Sequence, residues 1–337
     1  MSALLDVVDL KAHFPARAFP FGKAPPVKAV DGVSFRIGRG ETLGLVGESG
    51  CGKTTVARAV LCLTDITAGE VRLDGQRIDN LSTAALRPLR RRIQVVFQDP
   101  YASLNPRLTV RDILAEPILN FALVQTPDEI EARVAALLDK VRLPRDAAGR
   151  RPHEFSGGQR QRIGIARALA AQPDLIVCDE AVSALDVSVK AQIVNLLSDL
   201  QRELGLALLF ISHDLAIVEH VAQRVAVMYL GRIVEMGPTR DVFAAPKHPY
   251  TRALLSAVPV AEPGATRTRI ILTGEPPSAG NPPAGCRFHT RCPSVFERCR
   301  VDEPQLLATD SGRIAACHLN EAAKTEVSPL PLRVAAR

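Results

Sequence analysis

Residues 43–55, LGLVGESGCGKTT, give the strongest indication of the fold. A short apolar run enters a glycine-rich loop, and a lysine and two threonines open the helix expected after it. Glycines let backbone N–H groups close around phosphates, Lys53 supplies charge to the β and γ groups, and the Thr54 hydroxyl is suited to Mg²⁺. The stretch predicts a nucleoside triphosphate site on an α/β fold, contacted by Gly47, Glu48, Ser49, Gly50, Cys51, Gly52, Lys53, Thr54 and Thr55.

Two further apolar runs, DLIVCD at 174–179 and LALLFIS at 206–212, are typical of buried strands in a mostly parallel sheet. The first run ends in Asp179, and Glu180 follows at once. A P-loop enzyme has its Mg²⁺-organising carboxylate at such a strand end, and the next acid is placed to polarise an attacking water. The structural alternative is an edge cap or an acid at a helix N-terminus.

Gln98 in QVVFQDP and His213 in LLFISHD also follow short apolar runs. Ligands of parallel sheets bind at the carboxyl ends of the strands, so both residues are predicted to lie at the rim of the site. A lone glutamine or histidine in such a place is more often a loop residue whose hydrogen bonds are satisfied. Their occurrence together with the other motifs makes them candidates for catalysis.

FSGGQ at 155–159 is a second half-site, set against the start of a basic amphipathic helix. The N–H groups and positive dipole end of a helix N-terminus bind phosphate, and Ser156, Gly157 and Gly158 present no bulky side chain. Because residues 47–54 already hold the chain's own phosphates, this half-site is predicted to serve the nucleotide of a neighbouring subunit. The alternative is that it only caps its own helix.

Composition excludes several classes of protein. The 337 residues carry a net charge of +6, with 42 basic residues interleaved with 36 acidic ones, which favours a mixed solvated surface over a nucleic-acid footprint. The longest apolar runs, such as 205–212, are far shorter than the roughly 18 residues of a membrane-spanning helix. The chain is therefore predicted to be cytosolic, or bound to a membrane through another protein.

Two segments show helical periodicity. At 187–204 the apolar residues form one stripe, and Gly205 is expected to end the helix. From residue 126 a capping threonine and early acids precede a second apolar repeat. The second helix belongs to a mainly helical insertion at about 100–165. After residue 235 the composition changes, because 13 of the 25 prolines fall in the last 102 residues. We therefore expect a nucleotide-binding domain at 1–235 and a separate, irregular extension at 236–337.

The motifs GESGCGKTT, VFQDP, FSGGQ, LIVCDE, SALD and ISHD occur in that order and resemble the Walker A, Q-loop, signature, Walker B, D-loop and H-loop of ATP-binding cassette ATPases. The resemblance covers about residues 4–235. It implies a P-loop NTPase (RecA-like) α/β core with antiparallel β and helical subdomains.

By the same resemblance, Phe14 stacks on adenine, with Phe19 and Phe21 close enough in sequence to take that place instead. The remaining implied roles are catalysis by Glu180, His213 and Gln98, Mg²⁺ binding by Thr54, Gln98 and Asp179, and contact with the partner's nucleotide by Ser156, Gly157, Gly158, Gln159 and Asp186.

Longer stretches, including FQDPYASLNPRLTV, CDEAVSALDVSVKAQIVNLL and HPYTRALLSAVP, resemble the peptide and nickel importer branch, in particular dipeptide and oligopeptide permease ATPases. The resemblance implies an ATP-hydrolysing subunit at the cytoplasmic face of the inner membrane. Its implied partners are a second homologous ATPase in a head-to-tail dimer, two membrane permeases and an external substrate-binding protein. The alternatives are a cassette ATPase outside transport, or an importer for nickel or another solute.

Four cysteines follow the spacing Cys286-x5-Cys292-x6-Cys299-x17-Cys317. A cytosolic compartment argues against disulfides, and the absence of a C-x-x-C pair argues against an ordinary zinc knuckle. Four thiolates suit a [4Fe–4S] cluster, and members of the resembled branch with a similar tail carry one.

Zinc, with His289 or His318 as substitute ligands, and no bound metal stay open as alternatives. Because the cysteines are far in sequence from every nucleotide motif, a structural role is expected for them.

Overall fold

The computed structural model of the protein describes residues 3–15, 25–258, 269–309 and 312–323. Phe19 and Phe21 lie outside these ranges. Within them the strands are β1 (Leu5–Phe14), β2 (Val27–Ile37), β3 (Thr42–Val46), β4 (Ala68–Leu73), β5 (Gln76–Arg77), β6 (Ile93–Val96), β7 (Leu175–Asp179), β8 (Ala207–Ser212), β9 (Arg224–Tyr229), β10 (Arg232–Pro238), β11 (Leu307–Ala308) and β12 (Ile314–Ala315).

The helices of the same ranges are α1 (Lys53–Val60), α2 (Thr83–Arg92), α3 (Pro100–Ser103), α4 (Val110–Asn120), α5 (Pro127–Lys140), α6 (Gly157–Ala170), α7 (Val187–Leu204), α8 (Leu215–Val221), α9 (Thr239–Ala244), α10 (Pro249–Ser256) and α11 (Glu297–Val301). Short 3₁₀ helices add Arg145–Gly149, Pro152–Glu154 and His318–Ala323. No helix in the described part of the chain is both long and apolar enough to span a bilayer.

The central sheet has the strand order β11-β12-β10-β9-β3-β8-β7-β6. From β9 to β6 its neighbours pair in parallel. Every residue of β3 and β8 is buried, which fits strands covered on both faces. The three apolar runs that suggested strands are thus neighbours in one sheet, and their carboxyl ends share one edge.

A second sheet, of order β2-β1-β4-β5, is antiparallel throughout. Strand β1 alternates buried and open positions, with Leu5, Val7 and Leu10 inside. These side chains join a core that also contains Val56 and Val60 of α1. This sheet therefore packs over the helix that begins at the nucleotide loop, as the resemblance implies for an antiparallel subdomain.

Helices α3 to α6 form the mainly helical region between β6 and β7. A capping box at Thr126 and Glu129 starts α5, which confirms the predicted helix start. The apolar faces of these helices share one core. Gly205 ends α7 in the left-handed conformation, with φ 64°, as the sequence pattern predicts.

The region after residue 235 has little regular structure but is not separate from the domain before it. Strand β12 pairs with β10 at the edge of the central sheet, with Glu235 opposite Ala315 and Met236 opposite Ile314. Phe288 is 1% exposed and belongs to the main hydrophobic core. The proline-rich composition correctly indicates irregular chain, but it does not reveal that this chain packs on the cassette.

Candidate functional site

The nucleotide loop runs from the end of β3 to the start of α1. A Cβ placed on Gly47 would lie 2.2 Å from the carbonyl oxygen of Met228 in β9, and one on Gly52 would lie 2.2 Å from that of Ala29 in β2. Gly52 also has φ 109°, which L side chains rarely adopt. The sequence explains these glycines by phosphate access, and the structure adds that neighbouring strands leave no room for a side chain.

Lys53 is 4% exposed, and its Nζ donates hydrogen bonds to the carbonyl oxygens of Gly47, at 2.8 Å, and Glu48, at 2.9 Å. Its position at the first residue of α1 follows from the strand-loop-helix pattern. The ammonium group is thereby held inside the curve of the loop, where the β and γ phosphates of a nucleotide are expected.

Asp179 and Glu180 lie at the end of β7, opposite the loop. The Thr54 hydroxyl donates to Asp179 Oδ1 at 3.3 Å, so the two predicted Mg²⁺ ligands are in contact. Burial raises the pKa of the Asp179 carboxyl, and the charge of Glu180 adds to the increase. Glu180 has φ 49°, a left-handed backbone that costs about 1 kcal/mol or more in a non-glycine residue. This turn brings two consecutive carboxylates to the same crevice.

A cavity of about 300 Å³ joins these groups, and it is lined by Ala29, Ser49, Gly50, Gly52, Lys53, Thr54, Thr55, Gln98 and Glu180. Gln98 therefore lines the same cavity as the loop and Glu180. His213 Nδ1 lies 3.6 Å from Glu180 Oε1, at the end of the adjacent strand β8. A larger cavity, of about 490 Å³, lies between α5 and the chain entering β7 and β8, away from these residues.

Phe14 ends β1 opposite Val27 and is 38% exposed. It does not line the 300 Å³ cavity, whose described lining reaches the second sheet only at Ala29. Its role in stacking on adenine remains a prediction.

Ser156 caps α6 through a capping box: its Oγ accepts from Gln159 N–H at 3.4 Å, and its own N–H donates to the Gln159 side chain at 3.0 Å. The half-site therefore does cap its own helix, α6. However, a helix N-terminus leaves its first N–H groups without intrahelical partners, here those of Gly157 and Gly158. Ser156 and Gln159 are exposed, so capping and binding of a neighbour's phosphate are compatible.

Gly158 has a second reason to lack a side chain. A Cβ there would lie 2.4 Å from Val189 Cγ1 on α7, whereas one on Gly157 would meet its nearest neighbour at an ordinary 3.6 Å. Asp186, at the N-cap of α7, is exposed, and the next residue, Val187, is 84% exposed. The predicted partner-facing residues therefore lie on an open surface.

The four cysteines of the extension lie near one another and are all free thiols. Burial, with a smaller contribution from the thiols of Cys299, Cys317 and Cys292, raises the pKa of Cys286 to about 11. However, in the described ranges no group of three or more His, Cys, Asp or Glu residues is arranged to hold a metal ion.

The histidines considered as substitute zinc ligands already have partners. The ring nitrogens of His318 lie 2.9 Å from Glu321 Oε1 and 3.0 Å from the Asp302 carbonyl oxygen. His289 Nδ1 lies 2.9 Å from the carbonyl oxygen of Cys286. Zinc binding by His318 would therefore require the loss of one of its contacts.

Two residues at the nucleotide loop were missed by sequence reasoning. Tyr250 Oη accepts a hydrogen bond from the Glu48 N–H at 2.8 Å, and Arg291 pairs with the Glu48 carboxylate at 2.7 and 3.1 Å. Tyr250 lies in HPYTRALLSAVP, a stretch noted only for its resemblance. Arg291 carries no sequence signal, because its partner is 243 residues away.

The parallel sheet, the glycine loop and the carboxylates at the next strand end define the P-loop class of nucleotide-binding domains. Comparison with known proteins narrows the class: the ABC transporter family matches residues 30–183, and the oligopeptide/dipeptide transporter C-terminal region matches residues 234–299. The chain belongs to the ABC transporter family of ATP-binding cassettes, which are ATPases.

Two of the relatives that match nearly the whole chain illustrate the likeness. The probable peptide ABC transporter ATP-binding protein y4tS of Sinorhizobium fredii is 54% identical, covering 98% of this chain and 94% of its own length. The oligopeptide transport ATP-binding protein AppF of Bacillus subtilis is 52% identical, covering 94% of this chain and 97% of its own length.

Solved structures confirm the cassette fold. An ATP-binding cassette solved as a dimer in a post-hydrolysis state with ADP and Pi is 28% identical, with a TM-score of 0.62 over 70% of this chain and 99% of its own. The cbiO1 protein of Clostridium perfringens, part of the ABC transporter complex cbiONQ, is 29% identical, with a TM-score of 0.63 over 72% and 92% of the two chains.

Proposed function

We propose that this chain is the ATP-hydrolysing subunit of an importer for di- or oligopeptides. The observation that carries the proposal is the convergence of Lys53, the Thr54–Asp179 hydrogen bond and Glu180 on one cavity at the strand ends. The peptide solute is supported by the match of residues 234–299 to the C-terminal region of peptide transporters and by the names of the two relatives.

The loop residues 47–55 bind the triphosphate, and Thr54, Gln98 and Asp179 would hold Mg²⁺. Bound there, Mg²⁺ would neutralise negative charge on the triphosphate. A nearby cation stabilises the ionised form of a carboxyl, which offsets the rise in the pKa of Asp179 that burial causes. Asp179 is therefore kept as the carboxylate that Mg²⁺ requires.

Glu180 orients the attacking water and accepts its proton, because its left-handed turn aims the carboxylate into the cavity. His213, 3.6 Å from that carboxylate, is placed to contact the same water or the γ-phosphate.

Two cassettes associate head to tail, so that the α6 N-terminus of one faces the nucleotide of the other. Support comes from the exposure of Ser156, Gln159 and Asp186 and from the N–H groups of Gly157 and Gly158. The partner ATPase is a homologous subunit. Nucleotide shared between them holds the dimer closed until hydrolysis removes the shared charge.

The remaining partners are two membrane permeases and an external substrate-binding protein, with the chain held peripherally at the cytoplasmic face of the inner membrane. Association through permeases is supported by the absence of a membrane-spanning helix in the described residues and by the transporter family.

We also propose that the four extension cysteines take up a [4Fe–4S] cluster. Support comes from four neighbouring thiols whose mutual effect raises the pKa of Cys286; thiolates so close together repel unless a cation neutralises them. The side chains must close around the cluster, since the described arrangement is not a metal-binding one.

Anaerobically purified protein is expected to be brown, with about four iron and four sulfide per chain. Cys292→Ser should bleach it, whereas Cys62→Ser, outside the segment, should not. Colourless wild-type protein, with one zinc or with no metal, would refute the cluster.

The transport function is tested by reconstituting the chain with its partner ATPase and permeases in proteoliposomes. ATP-dependent uptake of labelled di- or oligopeptides delivered by the binding protein is expected, and Lys53→Ala should abolish it. Uptake of nickel but not of peptides would show that the transported solute is nickel. ATP hydrolysis without uptake of any solute would refute the transport function.

A further inference from the structure

The side chains of three residues contact Glu48, the second residue of the nucleotide loop. Its N–H donates to Tyr250 Oη at 2.8 Å, its carbonyl oxygen accepts from Lys53 Nζ at 2.9 Å, and its carboxylate pairs with both terminal nitrogens of Arg291 at 2.7 and 3.1 Å. Lys53 lies within the loop itself, as does Cys51, whose N–H also donates to the Glu48 carbonyl oxygen at 3.3 Å. Tyr250 and Arg291 come from the extension after residue 235.

These two residues are rigidly supported. Tyr250 is fully buried, with its ring 4.7 Å from that of Tyr229 and 5.4 Å from that of Phe288. Phe288 lies three residues before Arg291 in the segment that begins at Cys286, and it is itself 1% exposed. The aromatic cluster of Tyr229, Tyr250 and Phe288 thus fixes the cysteine segment against the strand beside the nucleotide loop.

The pairing of Arg291 with Glu48 has an electrostatic consequence for the loop. The Arg291 side chain is 7% exposed, and a bidentate pair of this kind is stronger than an ordinary hydrogen bond. A carboxylate in a phosphate-binding loop repels the triphosphate unless a cation neutralises it. Arg291 neutralises Glu48 and draws its side chain toward the extension.

We propose that Arg291 is a positioning residue for ATP binding: it neutralises Glu48 and, together with Tyr250, holds the nucleotide loop in its binding conformation. ATP affinity is thereby coupled to the order of the cysteine segment. The cysteine segment, which is far in sequence from every nucleotide motif, therefore contacts the nucleotide loop directly through Arg291.

A purely architectural role for Arg291 is the competing explanation, and the chain offers a matched control. Arg287, in the same segment and 9% exposed, forms a buried ion pair with Asp31 of β2 and bonds to the Leu230 carbonyl oxygen. Both arginines attach the segment to the cassette, but only Arg291 contacts the nucleotide loop. If attachment alone matters, the two alanine variants will behave alike.

The test measures MgATP affinity of the full-length chain by displacement of a fluorescent ATP analogue, alongside thermal unfolding. Arg291→Ala should weaken ATP binding by roughly tenfold, within the usual size of coupling between sites. Arg291→Lys should recover part of the loss, because lysine keeps the charge but not the bidentate geometry. Arg287→Ala should lower the unfolding temperature with less than about a twofold change in affinity.

A double-mutant cycle separates charge from architecture. Arg291→Ala combined with Glu48→Gln should bind ATP about as well as Glu48→Gln alone, because the unpaired carboxylate is then absent. If Arg291→Ala fails to fold, the lysine and double variants decide the question. Wild-type affinity in folded Arg291→Ala, or equal losses in Arg291→Ala and Arg287→Ala, would overturn the proposal.

Coupling is reciprocal, so MgATP should slow hydrogen exchange of residues 285–301 in the wild-type chain and leave it unchanged in Lys53→Ala. No change in the wild type at saturating MgATP would also refute the coupling. Neither measurement requires hydrolysis or transport, so this inference and the proposed function fail independently.

Discussion

The nucleotide loop at 47–55 and the described residues of the cysteine segment, which runs from Cys286 to Cys317, are both turn-rich, and the sequence predicts that each binds a charged group. The loop is built from consecutive residues between one strand and one helix, and its lysine bonds to carbonyl oxygens five and six residues away. The cysteine segment is held by contacts with partners more than 200 residues away, such as Arg291 with Glu48. The nucleotide loop can therefore be recognised from its sequence motif, whereas the position of the cysteine segment is determined by its long-range tertiary contacts.

A substitution of Glu180 at the nucleotide site is expected to have the greatest effect, and it distinguishes ATP hydrolysis from ATP binding. Glu180→Gln should lower steady-state ATP hydrolysis on the order of 1000-fold, because the amide cannot accept the proton of the water, while ATP binding persists and the closed dimer accumulates. A phosphate-release assay measures hydrolysis, and a nucleotide-binding assay measures ATP affinity. Glu219→Gln, an exposed substitution on α8, is the control, and near-normal turnover of Glu180→Gln in the assembled complex would contradict the assignment.

A second change asks whether the signature half-site serves the neighbour. Ser156→Arg places bulk and charge at the predicted interface, so hydrolysis by the dimer should fall about 100-fold, a loss typical of small displacements in a reacting site. ATP affinity of the isolated mutant chain should stay near the wild-type value. If that affinity collapses instead, the half-site acts within its own chain.

A third comparison concerns two glycines of the loop. Gly52→Ala should destabilise the chain by about 3 kcal/mol and weaken ATP binding, because its Cβ would lie 2.2 Å from the Ala29 carbonyl oxygen. Gly50 also has a positive φ, of 80°, but its Cβ would meet nothing within 4 Å. Gly50→Ala should therefore cost only about 1 kcal/mol. Equal losses in denaturant unfolding would show that packing against β2 is unimportant.

The smallest effect lies on the extension side and depends on pH. Burial lowers the pKa of His248 to about 3 from its ordinary 6.5, with the charge of Arg252 adding to the decrease. Below pH 6.5 the His248 imidazole is protonated in the unfolded chain, whereas in the folded chain it stays neutral down to about pH 3. The free energy of unfolding therefore falls as pH falls through this window. From about pH 6.5 to about pH 5 the loss is about 2 kcal/mol.

His248→Asn isolates this contribution, because asparagine keeps a side-chain acceptor for the Tyr250 N–H at the start of α10 but does not titrate. Urea unfolding at the two pH values should show a smaller loss in the variant than in the wild type. An identical loss in both would assign the pH dependence to other groups.

Local sequence patterns predict many of the strands and helix ends, because the interactions that determine these features are themselves local. The three apolar runs are strands, the α5 capping box starts where the threonine and early acids indicate, and Gly205 ends α7. Asp179 and Glu180 meet the loop because parallel strands place their carboxyl ends at one edge. The left-handed turn at Glu180, with φ 49°, is a detail that only the structure shows.

The nucleotide chemistry and the family follow from local sequence, since strand, loop and helix are contiguous and the identity of each residue limits the backbone directly. Three other features are visible only in the folded chain: Gly158 makes room for Val189, the extension adds strands to the central sheet, and Arg291 neutralises Glu48. Those facts depend on which surfaces the fold brings together, and neither side-chain periodicity nor motif spacing records a contact between residues 243 positions apart.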